Sequence, residues 1–116
     1  MQQTELVMYS RSTGCPYVSL AKRVLDDYAL PYREVMIDLD PEARQRVLNW
    51  TGFLSVPTLI VAPLGNDLPI SPPDPIEKNT SPRGINRGSM ITEPGISELT
   101  VWLQQHQLIR IDAVSK

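Results

Sequence analysis

Cysteine is nearly absent from this chain of 116 residues: one residue, Cys15, carries the only thiol. An intramolecular disulfide and a cysteine-rich zinc site are thereby excluded. The single reactive thiol suits a reducing, cytoplasmic compartment. Long basic runs are absent too, and the net charge is −2. Neither nucleic acid nor an anionic membrane is an expected partner. No apolar stretch approaches the roughly 20 residues of a membrane-spanning helix. The start, Met1-Gln2-Gln3-Thr4-Glu5, lacks a basic region before its apolar run, so no signal peptide is expected. Internal repeats are lacking. What remains is an ordinary globular composition, 41% hydrophobic and 21% charged. The length predicts one domain, 1–116, able to bury a core.

The lone cysteine stands where two patterns meet. Leu6-Val7-Met8-Tyr9 reads as a buried strand, Glu5 to Ser10. Val18, Ala21, Val24-Leu25 and Tyr28 recur at helical spacing over Cys15 to Tyr28. Within Ser12-Thr13-Gly14-Cys15-Pro16-Tyr17-Val18, Cys15 therefore falls in the first turn of a helix. Free backbone N–H groups and the dipole favour an anion there, which for a thiol is the reactive thiolate. Pro16 fits the first helical position. Arg11 adds nearby positive charge.

Further along, Tyr32 to Asp38 alternates imperfectly and predicts a second strand. Asp40-Pro41-Glu42 marks a helix start, and that helix stops before Gly52, with Ala43, Val47 and Leu48 inward. Leu59 to Ala62 predicts a third strand, with Pro57 just before it. Residues 63–88 then hold six of the eleven prolines and turn-forming pairs such as Ser81-Pro82 and Arg83-Gly84. Too little chain follows to build a second core, so the stretch reads as a long loop inserted within the domain. Ser89-Met90-Ile91 predicts a short strand, and Ile96 to Gln107 a last helix with Ile96, Leu99 and Leu103 inward, joined by Val101-Trp102. His106, with no second ligand at metal spacing, is assigned no catalytic or metal role. The order β-α-β-α-β-β-α predicts a three-layer α/β domain around a four-stranded mixed sheet.

Tyr9 to Tyr17 resembles the active-site strand and turn of glutaredoxins, whose usual motif is Cys-Pro-Tyr-Cys. Leu30-Pro31-Tyr32 to Asp38 resembles their second strand. Trp50-Thr51-Gly52 followed by Ser55-Val56-Pro57-Thr58 resembles their Thr-Val-Pro segment, in which the proline is cis and faces the active cysteine. The resemblance covers about residues 4–62 closely and 88–107 loosely, and it implies the thioredoxin fold. It also implies a glutathione groove. Arg11 stands near the glycine carboxylate, Val56 offers backbone groups to the cysteinyl part, and Tyr17, Pro16 and Pro57 flank the thiol. Thr13 and Gly14 belong to the turn that shapes the site, and Arg44 or Arg46 could reach the same carboxylate as Arg11.

Three departures stand out. Val18 replaces the second cysteine of the two-cysteine type. The turn before the last helix, Gly-Gly and Asp in the family, is here Thr92-Glu93-Pro94-Gly95, with Thr92 and Glu93 as candidate contacts. The third is the loop of 63–88. The function these features imply is a monothiol thiol–disulfide oxidoreductase using glutathione as co-substrate, with no bound cofactor and no metal. Its partners would be glutathione and glutathionylated or disulfide-containing proteins, and the chain a monomer or weak dimer. The alternative is a non-enzymatic thioredoxin-fold adaptor. An iron–sulfur cluster carrier ranks below both, since such single-cysteine glutaredoxins usually read Cys-Gly-Phe-Ser.

Overall fold

The computed structural model describes residues 3–77 and 79–109. Its elements are β1 (Thr4–Ser10), α1 (Pro16–Asp27), β2 (Arg33–Met36), α2 (Pro41–Thr51), β3 (Thr58–Pro63), β4 (Met90–Thr92) and α3 (Ile96–Gln105). One mixed sheet has the order β2-β1-β3-β4. β1 and β2 run parallel, with Val7 opposite Arg33 and Ser10 opposite Met36. β3 is antiparallel to β1 and β4 to β3. This is the α/β domain with a four-stranded mixed sheet that the order of elements predicted, in the thioredoxin-like arrangement that the resemblance implied.

Burial explains the layering. From Leu6 to Ser10 and from Thr58 to Ala62 every residue is buried, so both faces of the central strands are covered. α1 packs against α3, while α2 lies over β2 and sets Trp50 edge-on to Tyr9, ring centroids 5.2 Å apart. Asp40 caps α2 by accepting from the amides of Glu42 and Ala43 at 3.0 and 3.2 Å. Gly52 ends it at φ +79°, a conformation that suits glycine.

Several inward-facing assignments are corrected. Tyr28, Leu48, Ile96 and Val101 are exposed. Tyr28 is the C-cap residue of α1 rather than part of its buried stripe. Thr51 takes the buried place in α2 expected of Leu48, and its hydroxyl donates to the Val47 carbonyl at 2.9 Å. In α3 the buried stripe narrows to Leu99, Trp102 and Leu103.

The proline-rich stretch is tied to the frame at both of its ends. At its outset the Gly65 amide donates to Glu5, and Arg33 pairs with both Glu5 and Asp67. The Tyr9 hydroxyl donates to the Asp67 carbonyl. On the return, the Gly84 amide donates to the Thr92 carbonyl, and Arg83 and Asn86 form bridges to β4. Those bridges cover the edge of the sheet, where unpaired backbone groups would otherwise face solvent.

Arg87 is the deepest anchor of this segment, only 5% exposed. Its Nε donates to the Asp74 carbonyl at 2.6 Å and its Nη1 to the Trp50 carbonyl at 2.7 Å. Trp50 lies in the last turn of α2, where carbonyls have no partner within the helix and a cation is favoured. Burial lowers the pKa of Arg87, opposed by Asp74. Trp102 Nε1 donates to the Gly88 carbonyl at 2.8 Å, and His106 Nε2 meets the same oxygen at 2.6 Å, tying α3 to the loop.

Candidate active site

The register gathers three segments at one end of the sheet. Thr58, which opens β3, lies opposite Tyr9 near the end of β1 and opposite Thr92 at the end of β4. The Glu93 amide donates to the Pro57 carbonyl at 2.8 Å. The β1–α1 turn, Val56-Pro57 and Thr92-Glu93 therefore meet there.

Cys15 is the N-cap residue of α1, with extended backbone at φ −150° and ψ 128°. Its carbonyl accepts the first helical bond, from Ser19, at 3.0 Å. Pro16 opens the helix without an N–H, so Tyr17 and Val18 present the first free amides. The thiol is partly exposed, and its Sγ donates to the Val56 carbonyl at 3.7 Å. The Val56–Pro57 bond is cis. Val18, three residues on from the thiol, is buried in the core.

The turn before Cys15 is held from outside. Asp38, just beyond β2, accepts from the Ser12 hydroxyl and from the Ser12 amide, the latter at 3.1 and 3.2 Å. These bonds, the hydroxyl first and with help from the charge of Arg11, hold the Asp38 carboxyl below its usual range. Thr13 and Gly14 are exposed, and a side chain added at Gly14 would meet open space. Pro16, the residue after Cys15, is exposed, and so is Arg11, whose charge acts on Asp38.

The two arginines of α2 differ in their surroundings. Arg46 donates to the Tyr9 hydroxyl at 3.4 Å and pairs with Glu42 at 4.0 Å, which turns it to the α2 face of β1. Arg44 is exposed. Thr92 is buried and shares a hydrogen bond of 3.0 Å with the Thr58 hydroxyl, so it braces the sheet end rather than facing the groove.

One residue at this end was missed from sequence. Arg83, brought by the inserted loop, lies over the Tyr17 ring at 5.0 Å from its centroid. Its Nε pairs with Glu93 Oε1 at 3.4 Å. That bond and the Glu93 charge raise its pKa, with smaller contributions from Tyr17 and Cys15. In the sequence Arg83 sits in a turn between Pro82 and Gly84, and only the fold reveals its destination. Phe53, Leu54, Ser55, Ser81, Arg83 and Glu93 line a groove of about 320 Å³.

Fold and site together define a class: a thioredoxin-fold protein organised around one cysteine at a helix start, opposite a cis proline. The sequence model of the glutaredoxins matches residues 6–63, half of the chain, and the chain belongs to the glutaredoxin family. Among solved structures, a buckwheat glutaredoxin in complex with glutathione is similar at 27% identity and TM-score 0.41. That match covers 48% of this chain and 53% of the buckwheat chain, about half of each. The holo form of glutaredoxin C1 from Populus tremula × tremuloides is 18% identical, over 90% of this chain and 78% of its own, at TM-score 0.46. No curated protein sequence matches the chain. No helix among the described residues is long and apolar enough to cross a membrane.

Proposed function

We propose that this glutaredoxin-family chain reduces glutathione mixed disulfides by a monothiol cycle, with Cys15 as nucleophile. The observation that carries the reading is the partly exposed Cys15 sulfur at the start of α1, 3.7 Å from the Val56 carbonyl beside cis Pro57. There the first free helix amides and the positive end of the dipole lie beside the sulfur.

The Cys15 thiolate attacks the glutathione sulfur of the mixed disulfide. A Cys15–glutathione disulfide forms, and the substrate sulfur leaves as a thiolate and takes up a proton. A free glutathione thiolate then attacks the sulfur of the bound glutathione. Oxidised glutathione departs and the Cys15 thiolate returns, so one free glutathione reduces one mixed disulfide. A dithiol cycle would need a second thiol. The position of that thiol in two-cysteine glutaredoxins is Val18, packed in the core.

The test is glutathione-dependent reduction of a glutathionylated peptide. The wild-type protein turns over, and Cys15→Ser falls to the rate of uncatalysed exchange. Equal rates for the two proteins would refute the reading. A second reading, a protein-binding adaptor, is favoured by one observation: Arg83 already lies over Tyr17 and pairs with Glu93 beside the groove. It predicts no turnover and no glutathione adduct on Cys15.

A further inference from the structure

Arg87 is a buried cation with no carboxylate to neutralise it. It is 5% exposed, and among the described residues no Asp or Glu side chain pairs with it. Its partners are the Asp74 carbonyl on Nε, and the Trp50 carbonyl and the Met90 sulfur on Nη1. These groups are dipoles without net charge, and a buried charge that lacks a counter-charge is costly. Nη2 has no hydrogen-bond partner among the described residues. It is not sealed in either: the side-chain atom found both sealed and unpartnered there is Glu34 Oε2.

Arg87 lines a cavity of about 480 Å³ between the end of α2 and the inserted loop. Other side chains of that cavity can donate as well. Asn49 Oδ1 is taken by Gln45 Nε2 at 2.9 Å, which leaves the Asn49 Nδ2 hydrogens to give. The Asn79 amide and the Thr80 hydroxyl border the same space and have no side-chain partner among the described residues. Phe53, Pro75 and Ile76 add apolar wall. A cavity of this size, with an apolar wall and a few polar groups, suits a small organic molecule. Charge limits which one. Glu77 borders the cavity, and the Trp50 carbonyl belongs to the negative end of α2. A dianion would meet both, whereas one buried guanidinium balances one negative charge. None of Arg11, Cys15, Tyr17 and Pro57 lines this space, and Phe53 alone is shared with the groove beside Arg83.

We infer that this cavity binds a small organic carboxylate, its oxygens on Arg87 Nη2 and the neighbouring side-chain donors and its apolar body against Phe53 and Ile76. The site is independent of disulfide exchange at Cys15. An occupant would neutralise Arg87 and fasten the inserted loop to α2.

Titration of the whole chain with benzoate, benzamide, acetate and inorganic phosphate tests this. Benzoate binds with a Kd of roughly 1 mM or below. Benzamide, its uncharged counterpart, binds roughly tenfold or more weakly, the size expected of a charge-assisted contact. Acetate, without the apolar body, and phosphate are weaker than benzoate too. Bound benzoate slows proteolysis within residues 64–89, because a ligand of the folded loop stabilises it. Arg87→Met abolishes binding. Since that variant also loosens the loop, two substitutions at exposed positions carry the test. Asn79→Asp keeps the backbone, whose φ of +67° aspartate tolerates as asparagine does, and its added charge weakens benzoate several-fold. Glu77→Gln strengthens benzoate. Cys15→Ser binds it as wild type does, so the site and the thiol chemistry can fail separately. Absence of benzoate binding, equal affinity for benzamide, tighter binding of phosphate, or indifference to both Asn79→Asp and Glu77→Gln overturns the inference.

Discussion

Residues 4–62 and residues 64–89 are held in place by different physics. In the first stretch apolar side chains do the work. Every residue of β1 from Leu6 is buried, and α1 turns Val18, Ala21, Val24 and Leu25 inward. In the second, the buried residues among those described are Pro82, Arg87 and Ser89. Its backbone is fixed by polar groups, within the stretch from Arg87 to Asp74 and from Ser89 to Ser71, and to the rest of the fold from Arg87 to Trp50, Asn86 to Gln105 and Asp67 to Arg33. Apolar burial is spread over many side chains and depends on area. A polar tether concentrates its contribution in a few bonds, each costly to leave unmade once buried. The first stretch presents Cys15. The second brings Arg83 to it.

The contrast can be broken in order of effect. Leu59→Ala, at a fully buried position of β3, should destabilise the whole protein by about 2–5 kcal/mol. Its urea midpoint falls, and amide exchange accelerates in the frame and the loop together. Uniform protection elsewhere, with loss only near β3, would show that the frame is not one cooperative unit.

Arg87→Met keeps most of the volume but leaves the Trp50 and Asp74 carbonyls without their partner. The expected loss is about 1–3 kcal/mol. Proteolysis should then cut first within residues 64–89 while the frame resists. If cutting begins in α1 or β1 instead, Arg87 is a keystone of the core rather than of the loop.

The smallest effect is a pH dependence at Glu5. The Gly65 amide, followed by Arg33, holds its carboxyl below the usual 4.5. A lowered native pKa contributes stability above the unfolded value, and that stability is lost as pH falls through the native one. Stability should therefore drop below about pH 4.5, and less so in Glu5→Gln. An identical acid profile in the variant would remove Glu5 from the account.

The same contrast decides what could be read in the sequence. The order of elements and the mixed sheet follow from periodicity, caps and breakers, because those signals are local. Cys15 at the start of α1 follows from one strand pattern abutting one helix pattern. Leu48 and Ile96 misled because an apolar residue near a helix edge has no periodic signal to say whether a neighbour covers it. The tethers of the loop could not be read at all. Arg87 is bonded to carbonyls 13 and 37 positions away in the sequence, and a carbonyl has no residue type to announce it. Arg83 is hidden likewise: its partners, Tyr17 and Glu93, become neighbours only after the sheet has formed. Arg46, offered from sequence with Arg44 as a reach to the carboxylate, has partners of its own in Tyr9 and Glu42 that the sequence did not announce.

The central claim is that Cys15 carries glutathione as a resolvable intermediate. Intact mass spectrometry of the wild-type protein mixed with oxidised glutathione, before and after a chase with reduced glutathione, tests it most directly. The account predicts a gain of one glutathionyl group, located on Cys15, that disappears during the chase. An unmodified protein, or an adduct that reduced glutathione cannot remove, would contradict it.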